Sequence, residues 1–96
     1  MSTIKGKVHK KFEIETFLSG FQKQTLVVET TEQYPQKIAI EFLSDKIDLL
    51  DNLKVDQEVI VHINIRGREW TSPEGEVKYF NSITGWKIDA GEVPGK

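Results

Sequence analysis

The sequence predicts an all-β domain, a five-stranded barrel with one short helix between its third and fourth strands. Three observations carry this expectation. Apolar and polar residues alternate from Thr3 to Phe17 and again from Glu58 to Trp70, and a period of two marks a half-buried strand. β-Branched residues crowd the stretch from Gln24 to Tyr34, which suits a pleated surface. The period changes only once, to three, at Ile47, Leu50 and Leu53.

In the first strand Ile4, Gly6, Val8, Phe12 and Ile14 fall on one side, with Lys5, Lys7, His9, Lys11 and Glu13 opposite. A strand this long bends, and Lys10 is where the apolar side is interrupted. Ser19 and Gly20 supply a turn. The second strand is Gln24 to Tyr34, and Pro35 ends it because proline cannot donate to a ladder. Lys37 to Leu43 is the third strand, with Ile38, Ile40 and Phe42 on one face. Ser44 is a natural N-cap for the helix, and Asp45 and Asp48 sit where its dipole favours negative charge.

Glu58 to Trp70 is the fourth strand, with Val59, Val61, Ile63 and Ile65 inward. Ser72 to Gly75 is a turn with Pro73 and Gly75 in type I positions. Lys78 to Asp89 is the fifth strand. Lone glycines inside strands, Gly67 and Gly85, read as bulges. Of Tyr79 and Phe80, neighbours on opposite faces, at least one is expected in the core, and Trp86 is expected to pack. Three strands, a short helix and two more strands is the order of an OB-fold. An SH3-like barrel is the nearest competitor, but it seldom carries a helix at that place.

Ninety-six residues make one domain, expected to be a barrel over residues 1–90 with a flexible C-terminal tail over 91–96. The chain is 38% hydrophobic and 29% charged, the balance of a globular protein. No apolar run approaches the roughly 20 residues of a membrane span. Residues Met1 to Gly6 lack the apolar core of a signal peptide, so a cytoplasmic location is expected. A net charge of −2 argues against coating duplex DNA with positive charge, though not against a local basic face.

Cysteine is absent, which removes thiolate catalysis, disulfides and cysteine zinc sites. His9 and His62 are not in metal-ligand spacing. Asp45, Asp48 and Asp51 recur every three residues, the pattern of a solvated acidic face. No phosphate-binding glycine loop is visible. No metal, cofactor or catalytic function is expected.

The fourth strand holds the most chemistry. If its apolar positions face inward, His62, Asn64, Arg66, Arg68 and Trp70 share the opposite face. Arginine grips phosphate bidentately, and tryptophan offers a wide ring for stacking a base. A tryptophan capping the barrel end beside two solvated arginines is the plainer alternative. Lys5, Lys7, His9 and Lys11 form a second basic stripe, equally explained as a solvated strand face.

From Tyr34 to the end of the fifth strand the sequence resembles the OB domain of bacterial single-stranded DNA-binding protein. The matching text is Tyr34 to Phe42, Arg66-Gly67-Arg68-Glu69-Trp70-Thr71 where the family's long strand ends in Arg-x-x-Trp, and the polar turn Ser72 to Val77 leading to Lys78 and Tyr79. The pattern is also similar to a group of short bacterial proteins classed only as a domain of unknown function. In the resembled family DNA stacks on aromatics of the second, third and fourth strands. The resemblance places Trp70 at the fourth-strand aromatic and Tyr34 and Phe42 at third-strand ones.

It also implies a homo-oligomer, dimer or tetramer. The departures are a second strand with no aromatic between Thr25 and Thr31, and an ending, Val93 to Lys96, that is neither acidic nor closed by phenylalanine. They imply weaker binding per domain and put a hub role in doubt. The expected function is non-catalytic binding of single-stranded DNA, with RNA as the alternative ligand. Trp70, Tyr34 and Phe42 would stack bases. Arg66, Arg68, Lys37 and Lys78 would hold phosphates, with Lys5, Lys7 and Lys11 as secondary contacts. The rival expectation is an OB module that has lost nucleic-acid binding and joins other proteins.

Overall fold

The computed structural model describes residues 2–91. The strands are β1 (Ser2–Lys11), β2 (Glu15–Thr16), β3 (Gln22–Thr30), β4 (Lys37–Leu43), β5 (Glu58–Thr71) and β6 (Val77–Ala90), with a 3-10 helix at Ser44–Leu50. β1, β5, β6, β4 and β3 follow one another around a ring that β1 and β3 close, and β2 extends β3. All neighbours are antiparallel except β4 and β6, which meet in parallel at Glu41 and Thr84. This is the OB barrel the element order implied, with one short strand added.

Ile4, Val8, Leu26, Val28, Ile40, Phe42, Val59, Val61 and Ile63 fill the barrel, and Ile47, Leu50 and Leu53 plug one end. The helix differs from expectation in kind. A spacing of three matches the 3-10 period, in which positions i and i+3 eclipse, so Ile47 and Leu50 stack on one side of the helix, and Leu53, just past its end, joins them in the core. Ser44 does not cap it: the N-cap position is Leu43, no side chain bonds there, and Ser44 itself has φ 53°.

The first strand is shorter than its alternation predicts. A bulge falls between Val8 and Lys10, where the bend was expected, so Lys10 faces Val27 and Lys11 faces the buried Leu26. After Lys11 the chain leaves the ladder, and Phe12 and Ile14, expected inward, are exposed. The second strand ends at Thr30, so Tyr34 lies in the turn to β4 and not on a strand. There Thr30 N–H donates to the Gln36 carbonyl and Gln36 N–H to Thr30 Oγ1, at 2.8 and 2.9 Å.

Two hairpins project from the barrel, and the same turn closes both. Gly20 N–H donates to the Phe17 carbonyl and Gly75 N–H to the Ser72 carbonyl, while Phe17 and Ser72 N–H donate to Phe21 and Glu76. Gly20 and Gly75 have φ of 90° and 89°. A type I turn followed by a left-handed glycine is the three-residue hairpin, so glycine is required at both places.

The β5–β6 hairpin is the longer arm. Among the described residues β1 pairs with β5 only as far as Ile63, and β4 meets β6 only at Thr84. From Asn64 to Thr71 and Val77 to Ile83 the two strands therefore have only each other. The radius of gyration, 15.2 Å, and extents of 57 × 35 × 21 Å record the projection, since a compact chain of this length has a radius of about 13 Å. Ile65 keeps the parity of Ile63 but lies past the barrel wall, and it is exposed. Tyr79 and Phe80 are both exposed for the same reason, so neither is core.

The glycines divide. The β5–β6 register shifts between His62 and Ile63, with Gly85 at the shift, whereas Gly67 pairs with Asn81 in unbroken register. Of the expected tail, Gly91 is held to the barrel by Glu58 and Gln57, and 92–96 lie outside the described residues.

Candidate nucleic-acid interface

The sequence dictates the arm's two faces through strand parity, and the register joins them across the hairpin. Arg66 pairs with Ser82, Arg68 with Phe80 and Trp70 with Lys78. Directly opposed residues in an antiparallel pair point to the same side. One face therefore carries Arg66, Arg68, Trp70, Lys78 and Phe80 together. The other carries Ile65, Glu69, Thr71, Val77, Tyr79 and Asn81.

On the first face the Arg68 guanidinium carbon lies 5.6 Å from the Phe80 ring centre, within cation–π range. Trp70 is 43% exposed and Phe80 47%, enough of each ring to receive a base. Arg66, Gly67, Arg68, Phe80, Asn81 and Ser82 line a shallow groove along the arm. Four of the expected contact residues are thus neighbours, and Phe80 joins them. Phe80 was legible: counting back from the Ser72–Gly75 turn sets it opposite Arg68.

The remaining expected residues sit elsewhere. Lys5 and Lys7 are on the outer side of β1, opposite Ile60 and Glu58. Ten residues separate Ile60 from Trp70, roughly 33 Å of strand. Lys7 also faces Glu29 on β3, so acidic partners flank it on both sides. Lys37 is on the outer side of β4 across from Glu29. Tyr34 is 77% exposed. Because β4 and β6 are parallel, Lys37 and the Tyr34 turn lie toward the arm's end of the barrel.

Two expected contacts are corrected. Phe42 is wholly buried. Its ring shares the side of Ile40 and packs where Gly85 has no side chain, so it offers no surface to a base. Lys11 is not on the face of Lys5 and Lys7, because the bulge at His9 reverses the parity. Its ammonium donates to the Leu50 and Leu53 carbonyls at 2.9 and 3.4 Å, closing the C-terminal end of the 3-10 helix.

The outer sides of β3 and β4 carry no aromatic residue and are balanced in charge, with Lys23 bonded to Glu41 at 3.1 Å. At the base of the arm His62 Nε2 donates to the Asp89 carboxylate at 2.8 Å, and its ring lies 5.3 Å from that of Trp86. The hydrogen bond from His62, more than its charge or that of Lys87, holds the Asp89 carboxyl below the usual carboxylate range. No group of acidic or histidine residues that could hold a metal occurs among the described residues, and no helix there is long and apolar enough to cross a membrane.

Exposed aromatics missed by the sequence reading cluster on the shorter hairpin. Phe12, Phe17 and Phe21 are 41–44% exposed, and the Phe17 and Phe21 rings are 5.8 Å apart. Their flanking of the Ser19–Gly20 turn was the available signal.

Comparison with known proteins adds a family and a fold. A family model described as a domain of unknown function, DUF3127, matches residues 3–89. No curated protein matches the chain. Among solved structures, the mitochondrial single-stranded DNA-binding protein Rim1 of S. cerevisiae superposes with a TM-score of 0.58. The two are 13% identical, over 93% of this chain and 91% of that one.

Proposed function

The chain belongs to the DUF3127 family, and from that premise and the barrel's geometry we propose that it binds single-stranded nucleic acid, DNA foremost, without catalysing a reaction. One observation carries the reading: Arg66, Arg68, Trp70, Lys78 and Phe80 share one exposed face of a two-stranded arm. Two rings supply stacking at about 1–3 kcal/mol per base, with no need of a particular sequence. Three cations beside them supply phosphate contacts, and arginine does so with a planar fork. Tyr34 and Lys37 extend this surface at the same end of the barrel, and Lys5 and Lys7 are secondary contacts on another wall. The fold it shares with a single-stranded DNA-binding protein supports the reading. A cytoplasmic homo-oligomer, dimer or tetramer, belongs to the same proposal, on the strength of the family resemblance in sequence.

The test is tryptophan fluorescence during titration with a thirty-residue dT oligomer at low salt, with Trp70→Ala as the comparison. Saturable quenching that salt reverses and the substitution removes is expected. The logarithm of affinity should fall with that of salt at about 0.7 per phosphate contacted. Absence of quenching and of any anisotropy change at tens of micromolar would overturn the reading. The charge-balanced, ring-free outer side of β3 and β4 favours a second one, an OB module that docks a protein. A partner captured by the chain that survives nuclease treatment would support it.

A further inference from the structure

We propose that the edge of β6 from Val77 to Ile83 receives an extended protein segment as a third strand of the arm, one that alternates acidic and apolar side chains. This goes beyond nucleic-acid binding and does not depend on it. Over that stretch β6 pairs only with β5 among the described residues. Its other edge therefore offers a row of unmatched N–H and C=O groups, a template for one more strand. A two-stranded hairpin standing alone is marginal in water, and a third strand is what brings independent stability.

Of the arm's two edges, that of β6 is the open one. β5 carries Arg66, Arg68 and Glu69 between Asn64 and Thr71, and charges along a strand blunt its edge. β6 carries one charge from Val77 to Ile83, that of Lys78, among strand formers such as Tyr79, Phe80 and Ile83. The stretch holds no proline, and its register with β5 is unbroken. β4 does not cover it. Counting back from the pair of Glu41 and Thr84 sets Lys37 level with Phe80, yet no ladder pair joins those two among the described residues, so β4 splays away from β6 there.

The two faces of the arm set the chemistry of the occupant. In strand addition main-chain bonds supply affinity and alternate side chains supply specificity. On one face the added strand lies beside Lys78 and Phe80, with Arg66 and Arg68 one strand further in and Lys37 on the β4 side. Opposite charges on neighbouring strands attract, so acidic side chains fit this face. On the other face it lies beside Val77 and Tyr79, both exposed, where apolar side chains fit. A period of two puts both kinds on one extended peptide, and the edge gives it roughly 23 Å of strand.

The probe is a fluorescein-labelled ten-residue peptide of alternating glutamate and valine, titrated into the full chain and followed by anisotropy. Saturable binding is expected, with amide hydrogen exchange slowed at alternate residues from Val77 to Ile83 and unchanged from Asn64 to Thr71. The same peptide N-methylated at alternate residues, on the side that faces β6, should bind at least about 10-fold more weakly, since each lost ladder bond counts for several-fold. Val77→Lys with Tyr79→Lys, both at exposed positions, should also weaken binding, with the fold checked by circular dichroism. No anisotropy rise at millimolar peptide overturns the proposal. So does an N-methylated peptide that binds as well as its parent, or protection that falls on β5 or on β3 and β4. Protection of β6 without peptide, together with a doubled mass by light scattering, overturns it in favour of a second copy. The dT titration is scored separately: its failure removes nucleic-acid binding and leaves the edge, and failure of the peptide removes the edge alone.

Discussion

The Arg68 guanidinium lies 5.6 Å from the ring centre of Phe80, its partner across the β5–β6 hairpin. Neither strand has another neighbour there among the described residues, so this contact organises the arm's face locally. Phe80→Ala is expected to weaken binding of the dT oligomer by about 1–3 kcal/mol, the worth of one stacked base. Arg68→Lys keeps the charge but loses the flat guanidinium, and should cost affinity as well. The two losses should fall short of adding when combined, because the residues touch. Strict additivity in anisotropy titrations would show that they act separately.

Phe42→Ala is expected to destabilise the barrel by about 3–5 kcal/mol, as removal of a buried ring does. Gly85→Ala should cost about 1–3 kcal/mol, because the new methyl would overlap the Phe42 ring. Urea denaturation measures both. Under conditions where the variants are folded, oligomer affinity should match the wild type. A loss of affinity without a loss of stability would return Phe42 to the binding face.

Lys11→Ala should lower stability by about 0.3–1 kcal/mol, the usual value of a cation at an exposed helix C-terminus. It should leave the salt dependence of binding unchanged. Arg66→Ala should do the reverse, reducing the salt slope by about 0.7 with little change in melting temperature. Affinity measured across salt concentrations, with a thermal melt for each variant, separates the two roles.

Asp89 supplies a pH dependence of stability. Its folded pKa is depressed, chiefly by the hydrogen bond from His62, so the folded state binds this proton less readily than the unfolded chain. The contribution is complete above the ordinary carboxylate value, about 3.9, and is lost as pH falls through the lower folded value. Melting temperatures of wild type and Asp89→Asn should differ near neutrality and converge at acid pH. A constant difference across that range would mean that the carboxylate adds nothing by its charge.

Strand parity made the arginine face legible before any neighbour was known. Arg66, Arg68 and Trp70 are two residues apart, and alternation alone puts them on one side. The β4 bounds, the break at Pro35 and the bend near Lys10 are local in the same sense. Proline, β-branching and an interrupted stripe act through the backbone of the residues that carry them. The helix position was also legible, but its 3-10 character was signalled by a spacing of three that an α-helix reading overlooks.

The sequence by itself thus determined the order of elements and which residues share a side. Only the tertiary structure decided which sides are buried. Ile63 and Ile65 have the same parity, yet one is in the core and the other in solvent, because among the described residues β1 pairs with β5 no further than Ile63. Phe42, expected to stack a base, lies inside the ring of strands, while Tyr79 and Phe80, of which at least one was expected in the core, both lie beyond it. Lys11 changed sides through a single bulge residue. Alternation is a property of one strand, whereas burial needs a neighbouring strand to cover it, and where that neighbour ends is set by the folded barrel.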